Sequence, residues 1–192
     1  MFIELTDHLR CPEDHEEAYL VLLPTVMDGR RVVEGVLGCP ICGRETAVRG
    51  GEVAFAEVGP THAGTALTPA AVAALGGIEG PGGYLALVGA PASLVEAIGE
   101  VFPGVRLVLV NPPEGVEGNE ASSVLRGARM PLKARSMRLV VAGEAAARGE
   151  WLDGSIAAVL PGNRIVAEGS APQRDDLEVL AEAGGVWVGK RR

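Results

Sequence analysis

All three cysteines of this 192-residue chain fall in two short clusters near its start, Cys11-Pro12-Glu13-Asp14-His15 and Cys39-Pro40-Ile41-Cys42-Gly43. Two Cys-Pro turns, each with a second donor close behind, can present two ligands apiece to one tetrahedral ion, which is what a zinc ribbon requires. The expected ligands are Cys11, His15, Cys39 and Cys42. In the second cluster C-x2-C runs into Gly43, whose backbone freedom lets the turn aim its amides at thiolate sulfur. In the first, strict C-x2-C spacing would use Asp14 and C-x3-H would use His15. Imidazole is the commoner companion of thiolates on zinc, so His15 is expected and Asp14 is its alternative. Two other readings stay open on the residues alone. Cys39 and Cys42 could form a redox pair, although Gly43-Arg44-Glu45-Thr46 reads as a turn into a strand and not as the helix such a pair opens. A remnant ribbon that has lost its metal and survives by packing is also compatible with three cysteines.

With 47% hydrophobic residues the chain has room for one ordinary domain and a small one. A ribbon of some fifty residues buries too little to fold unaided, and a structural metal would supply the difference. The net charge of -8 argues against a general nucleic-acid binder, whose affinity comes mainly from neutralising phosphates. One basic run, Arg126, Arg129, Lys133, Arg135 and Arg138, has no intervening acid, and it reads first as a solvated surface. Glu4, Asp7 and Arg10 interrupt any secretory core, and no apolar run reaches spanning length. The expectation is a soluble, cytoplasmic protein without membrane contact, its cysteines serving metal and not disulfides.

Residues 2–10 form a short amphipathic lead, with a helical turn delivering Leu9 and Arg10 into Cys11. Strands are expected over 18–23, 31–38 and 47–53, the last broken by a Gly50-Gly51 turn. Residues 56–67 read as a linker, and Thr68-Pro69 as a helix start running to about Leu75. Beyond Gly83 the texture changes to continuous apolar strands at 84–88, 105–110, 139–142 and 164–167. Helices are expected at 93–101, 155–160 and 174–183, with a last strand at 186–188. Continuous strands alternating with helices argue for a parallel sheet covered on both faces. The expected units are residues 1–55, the linker 56–67, and residues 68–192.

Two resemblances follow. Residues 3–55 resemble the small zinc-ribbon proteins known as partner subunits of tRNA, ribosomal and release-factor methyltransferases, and their short bacterial relatives. The likeness rests on Leu9-Arg10-Cys11-Pro12, on Gly38-Cys39-Pro40-Ile41-Cys42-Gly43-Arg44 and on Val48-Arg49-Gly50-Gly51-Glu52-Val53. It implies a ribbon whose main work is protein contact; Asp14-His15 departs from the Cys of many relatives. Residues 68–192 resemble a class I S-adenosylmethionine-dependent methyltransferase through Tyr84–Ser93, Met130-Pro131-Leu132 with Ser136–Val140, and Ala157–Val166. The implied fold class is α/β: a small β-rich zinc ribbon followed by a truncated doubly wound, Rossmann-like, methyltransferase-type parallel sheet.

The departures from that second family each remove a group with a physical task. Of the loop glycines after the first strand only Gly89 remains, with Pro91 and Ser93 in the other places. Leu87 replaces an acidic residue, and Arg126-Gly127-Ala128-Arg129 stands where an Asp commonly faces adenine. Asn111 occupies the place of the carboxylate that holds the ribose, and it lacks the charge that makes such a bond strong. The expectation is a non-catalytic scaffold or protein-interaction protein with structural Zn2+, without S-adenosylmethionine, and with a protein partner or a second copy of itself. The alternatives are an active methyltransferase using Gly89 and Asn111 in an atypical pocket, and an RNA-associated factor using the basic run. Glu144 and Glu150 read as exposed, His8 and His62 as isolated, and Trp151 and Trp187 as core or interface anchors. Ser93, Ser122 and Ser123 lack a nucleophile-elbow motif.

Overall fold

The computed structural model describes residues 1–56, 58 and 64–192, so part of the expected linker, with His62, lies outside the described residues. The N-terminal third is a meander of β1 (Val21–Asp28), β2 (Arg31–Gly38), β3 (Glu45–Arg49) and β4 (Glu52–Ala54). Gly50 and Gly51 join β3 to β4 with φ of 58° and 81°, the two positive values that a tight hairpin turn needs. The lead is a 3-10 turn over Ile3–His8.

Helix α1 (Pro69–Gly76) begins as its sequence says, with the Thr68 hydroxyl accepting from the Ala71 amide at 3.2 Å and proline in the first turn. Then follow β5 (Tyr84–Val88), a 3-10 turn over Ala90–Leu94, α2 (Val95–Val101), β6 (Arg106–Val110), β7 (Ser122–Arg126) and β8 (Met137–Ala142). The chain ends with α3 (Gly149–Ala158), β9 (Val159–Glu168), β10 (Leu177–Ala183) and β11 (Val186–Arg191). Two sequence expectations fail here. The helix placed at 155–160 lies earlier, because Val159 already starts the next strand in register with Met137. The helix expected at 174–183 is strand β10: Gly184 and Gly185, at φ 61° and 75°, fold it back onto β11, and the hairpin overrides the helix propensity of its Leu, Glu and Ala residues.

Among the described residues, eleven strands belong to one sheet, in the order β1-β2-β3-β4-β7-β6-β5-β8-β9-β11-β10. The strands β5 to β9 run parallel, with β6 and β7 on one side of β5 and β8 and β9 on the other, which is the doubly wound arrangement. The meander joins this sheet directly: β4 pairs parallel with β7, matching Val53 to Leu125. Alternation then sorts the side chains. Leu85, Leu87, Leu107, Leu109 and Leu139 pack with Val72 of α1 and Ile98 of α2. Tyr84, Ala86, Val108 and Val140 face the other way, toward Ile156 of α3 and toward Phe2, Leu5 and Leu9.

That second cover is made by the chain's first residues. The crossovers from β6 to β7 and from β7 to β8 contain no helix, and the N-terminal segment lies over this face instead. The Phe2 amide donates to Ser123 Oγ at 3.1 Å, the Arg10 amide to the Pro131 carbonyl at 2.9 Å, and the Lys133 amide to the His8 carbonyl at 2.9 Å. The Arg106 guanidinium stacks 3.6 Å from the Phe2 ring centroid. Among the described residues no helix is long and apolar enough to cross a membrane.

Candidate functional site

The two Cys-Pro turns meet. Cys11 follows the bridge that seats Leu9 against Leu132, and Cys39 follows the end of β2, so each turn is anchored by a hydrogen-bonded neighbour. One donor atom from each of Cys11, His15, Cys39 and Cys42 lies within 4.8 Å of every other. Cys11 Sγ is 3.8 Å from Cys42 Sγ, and Cys39 Sγ is 3.5 Å from His15 Nε2. A tetrahedral ion with metal–sulfur bonds of about 2.3 Å and a metal–nitrogen bond of about 2.0–2.1 Å needs edges of about 3.8 Å and 3.5 Å, so the donor set fits such an ion. Asp14 is exposed and does not join the group.

The surroundings orient the donors. His15 Nδ1 lies 2.6 Å from the Glu16 carbonyl oxygen, which can only accept, so Nδ1 carries the proton and the Nε2 lone pair faces the sulfurs. The Gly43 amide donates to the Cys39 carbonyl and the Cys39 amide to the Arg44 carbonyl, both at 2.9 Å, closing a tight knuckle that Gly43 enters at φ 71°. Without an ion, burial pushes the Cys11 thiol up to about 11. Burial also acts upward on Cys39, but the amides of Cys42 and Ile41 aimed at its sulfur outweigh it and bring that thiol down to about 7. His15 is raised, chiefly by its bond to Glu16. Cys11 and Cys39 are buried and Cys42 is exposed.

A second feature lies where the strand order reverses. A cleft of about 700 Å³ opens beyond the carboxyl ends of β5, β8 and β9, lined among others by Gly89, Gly143, Glu144, Arg148 and Glu168. Its floor is tight, because a β-carbon on Gly143 would stand 2.7 Å from Pro91 Cδ. Glu168, only 7% exposed, was not singled out from sequence. One of its oxygens accepts from the Thr65 hydroxyl at 2.7 Å and from the Ala66 amide, and the other from the Glu144 amide at 2.9 Å. The carboxylate thus ties one wall of the cleft to the end of β9. The available signal was a lone acid closing an apolar strand. Glu144 and Glu150 are exposed as expected, Glu144 pairing with Arg148 and Glu150 lying 4.0 Å from Arg129.

Gly89 and Asn111 are not brought together. Gly89 lines the cleft, whereas Asn111 does not, and its side chain is occupied elsewhere. Its Nδ2 donates to the Gly127 carbonyl and its Oδ1 accepts from the Gly127 amide, both at 2.9 Å, stitching the end of β6 to the end of β7. Asn111 holds φ at 49°, a conformation that asparagine tolerates better than most residues. The adjoining Pro112 and Pro113 are buried.

Three residues of the basic run find partners within the chain, while Arg129 and Arg135 are exposed. Arg138 donates to the carbonyls of Glu79, Gly80, Pro81 and Gly82 at 2.6–3.1 Å. Arg126 donates to Pro112 and lies 3.8 Å from Glu52, and the Lys133 ammonium sits 3.8 Å over the Tyr19 ring. Trp187 is a core residue at 1% exposure, and Trp151 packs against the same core at its margin.

This geometry defines an α/β protein with a doubly wound parallel sheet, extended at one edge by a meander beside which a Cys/His group could hold a metal ion. No family model matches the chain, and no curated protein matches it. Similar solved structures include a chain of the complex between the Haloferax volcanii Trm112 methyltransferase activator and a candidate methyltransferase, at 15% identity over 50% of this chain and 48% of that one, TM-score 0.42. A candidate methyltransferase of Bacillus halodurans is 17% identical over 56% of this chain and 53% of its own, TM-score 0.42. The antibiotic-resistance methyltransferase Kmr is 12% identical over 67% of this chain and 95% of its own, TM-score 0.45. The chain spans about half the length of the first two, at 48% and 53%.

Proposed function

We propose that this chain is a non-catalytic scaffold or interaction protein, built from a structural zinc ribbon and a degenerate methyltransferase-like domain. The observation that carries the reading is Asn111. A residue in the place of a ribose-holding carboxylate carries no charge, commits one donor and one acceptor of its amide to the Gly127 backbone, and stands outside the lining of the cleft at Gly89. Zinc is the ion proposed for Cys11, His15, Cys39 and Cys42, where three thiolates and one imidazole would close a four-coordinate site with no open position for chemistry. The ion would fasten the 11–15 turn to the 39–43 knuckle and so fix the outer surface of the meander.

That surface supports a protein partner. Tyr19 and Leu23 are 71% and 63% exposed, Val21 is exposed as well, and Val36 stands beside Leu23 on β2. Pro24 and the irregular register after it spoil β1 as a template for strand addition, so contact through the apolar side chains is the mode proposed. The spacing of the cysteines keeps the reducing cytoplasm as the proposed compartment. Calorimetric titration with S-adenosylmethionine tests the central claim: no heat of binding is expected up to millimolar ligand, and micromolar affinity would overturn it.

One observation favours a second reading. The cleft beyond Gly89 is open at about 700 Å³, large enough for a small molecule, and an active methyltransferase with an atypical pocket would use it. Methyl transfer from labelled S-adenosylmethionine to any acceptor, abolished by filling the cleft with Gly89→Leu, would establish that reading in place of the first.

A further inference from the structure

The four ligands of the proposed zinc site are not equally protected. Cys11 and Cys39 are 2% and 3% exposed, whereas Cys42 is exposed at the tip of its turn. Across the two turns, Cys42 Sγ stands 3.8 Å from Cys11 Sγ. A disulfide bond is about 2.05 Å, so the two sulfurs would have to close by a little under 2 Å. The Cys42 side can give, since Gly43 follows it at φ 71° and a β-carbon there would touch nothing within 4 Å. The geometry points to a peroxide-sensitive switch in which Cys42 is oxidised first and Cys11 resolves it, forming a Cys11–Cys42 disulfide that expels the zinc. This inference rests on the zinc reading given above.

The chemistry balances with hydrogen peroxide as the oxidant. The Cys42 thiolate attacks one peroxide oxygen, an S–O bond forms, the O–O bond breaks, and hydroxide leaves to be protonated to water. The Cys11 thiolate then attacks the Cys42 sulfur, an S–S bond forms, the S–O bond breaks, and a second hydroxide leaves as water. Two sulfurs lose one electron each and the peroxide gains two. A zinc ion at the site would then have only Cys39 and His15, two ligands where a structural site needs four. Because the proposed docking surface depends on the two turns being fastened together, oxidation would release that surface as well.

The test uses the whole zinc-loaded chain, titrated with hydrogen peroxide while a chromophoric chelator reports free zinc, followed by peptide mapping under non-reducing conditions. The expected result is one zinc released per chain, in step with a cross-linked peptide containing Cys11 and Cys42, and recovery of bound zinc when a dithiol and zinc are added back. A Cys42→Asp variant keeps a fourth ligand without a thiol and is expected to hold its zinc through the same dose. Zinc retained by the wild type, a Cys39–Cys42 link, oxidation of Cys42 to sulfinic acid without a cross-link, or equal release from Cys42→Asp would each overturn the switch. A chain that takes up no zinc before any peroxide is added would instead overturn the metal reading on which it stands.

Discussion

The β1–β4 meander and the β5–β9 sheet belong to one hydrogen-bonded ladder, yet they are held by different means. Every residue of β5 from Tyr84 to Val88 is buried, and its neighbours β6 and β8 are nearly so, which leaves that region stabilised by many apolar contacts of similar weight. In β1 only Leu22 is even half-buried; the rest of the strand is exposed. What holds the meander is the seam to β7, the inward side chains Val32, Leu37, Val48 and Val53 clustered with the lead and, on the zinc reading proposed above, four side chains gathered at one point. Where apolar burial is distributed, a single substitution weakens the whole a little. Where it is thin, specification passes to a few groups, and losing one of them undoes the local fold.

Substitutions can be ranked by how hard they press on that contrast. The largest effect is expected from Cys39→Ser. Structural zinc binding is worth on the order of 10–16 kcal/mol in small metal-folded units, so metal analysis should show zinc lost and amide spectra should show the meander disordered while β5–β9 signals persist. A meander that stays folded without metal would favour the remnant-ribbon reading. Next comes Leu87→Ala, fully buried at 0% exposure, which should cost about 2–5 kcal/mol in denaturant unfolding and lower both regions together. If only β5–β9 signals are lost at the midpoint, the shared ladder does not couple the two.

Asn111→Ala removes two bonds to Gly127 and places alanine at φ 49°, and about 1–3 kcal/mol of stability should go with it. Its companion Asn111→Asp restores a carboxylate at that place and should still bind no S-adenosylmethionine by calorimetry. Smaller again is the Arg174–Asp176 pair at 2.8 Å. The Asp176 carboxyl is held below its ordinary value first by its bond to Arg174. A depressed folded-state value contributes stability above the unfolded value and loses it as pH falls through the folded one, so the contribution should begin to fall near about pH 4 and be lost only below the depressed value. With Asp176 47% exposed, solvent screening keeps it under about 1 kcal/mol, measurable as the difference between wild type and Asp176→Asn across an acid titration. Least of all on stability, within about 0.5 kcal/mol, is Leu23→Asp, which should instead abolish self-association by light scattering or binding to a partner protein.

Much of this contrast could be read in advance, and the exceptions share a cause. The apolar runs of β5, β6 and β8 and the spacing of the two Cys-Pro turns are local signals, and the structure contains both. Strand β7 was hidden by Ser122 and Ser123, which are fully buried only because their hydroxyls accept from the Asn119 and Phe2 amides. Strand β10 carries helix-forming residues that a hairpin partner overrules. Glu168 and Asn111 owe their roles to Thr65, Glu144 and Gly127, partners that nothing in the neighbouring sequence announces. Non-local partners decide each case.

The seat of the first residues carries a consequence for how the molecule is made. Phe2 bonds to Ser123 across 121 positions of chain, and Arg10 and His8 wait on Pro131 and Lys133. At a translation rate of about 5–20 residues per second, roughly 6–24 s separate the emergence of Phe2, Leu5 and Leu9 from that of the strands that shelter them. During synthesis the leading segment is therefore an unsheltered apolar stretch, and the nascent chain can complete its core only once the part of its message encoding β7 and β8 has been read.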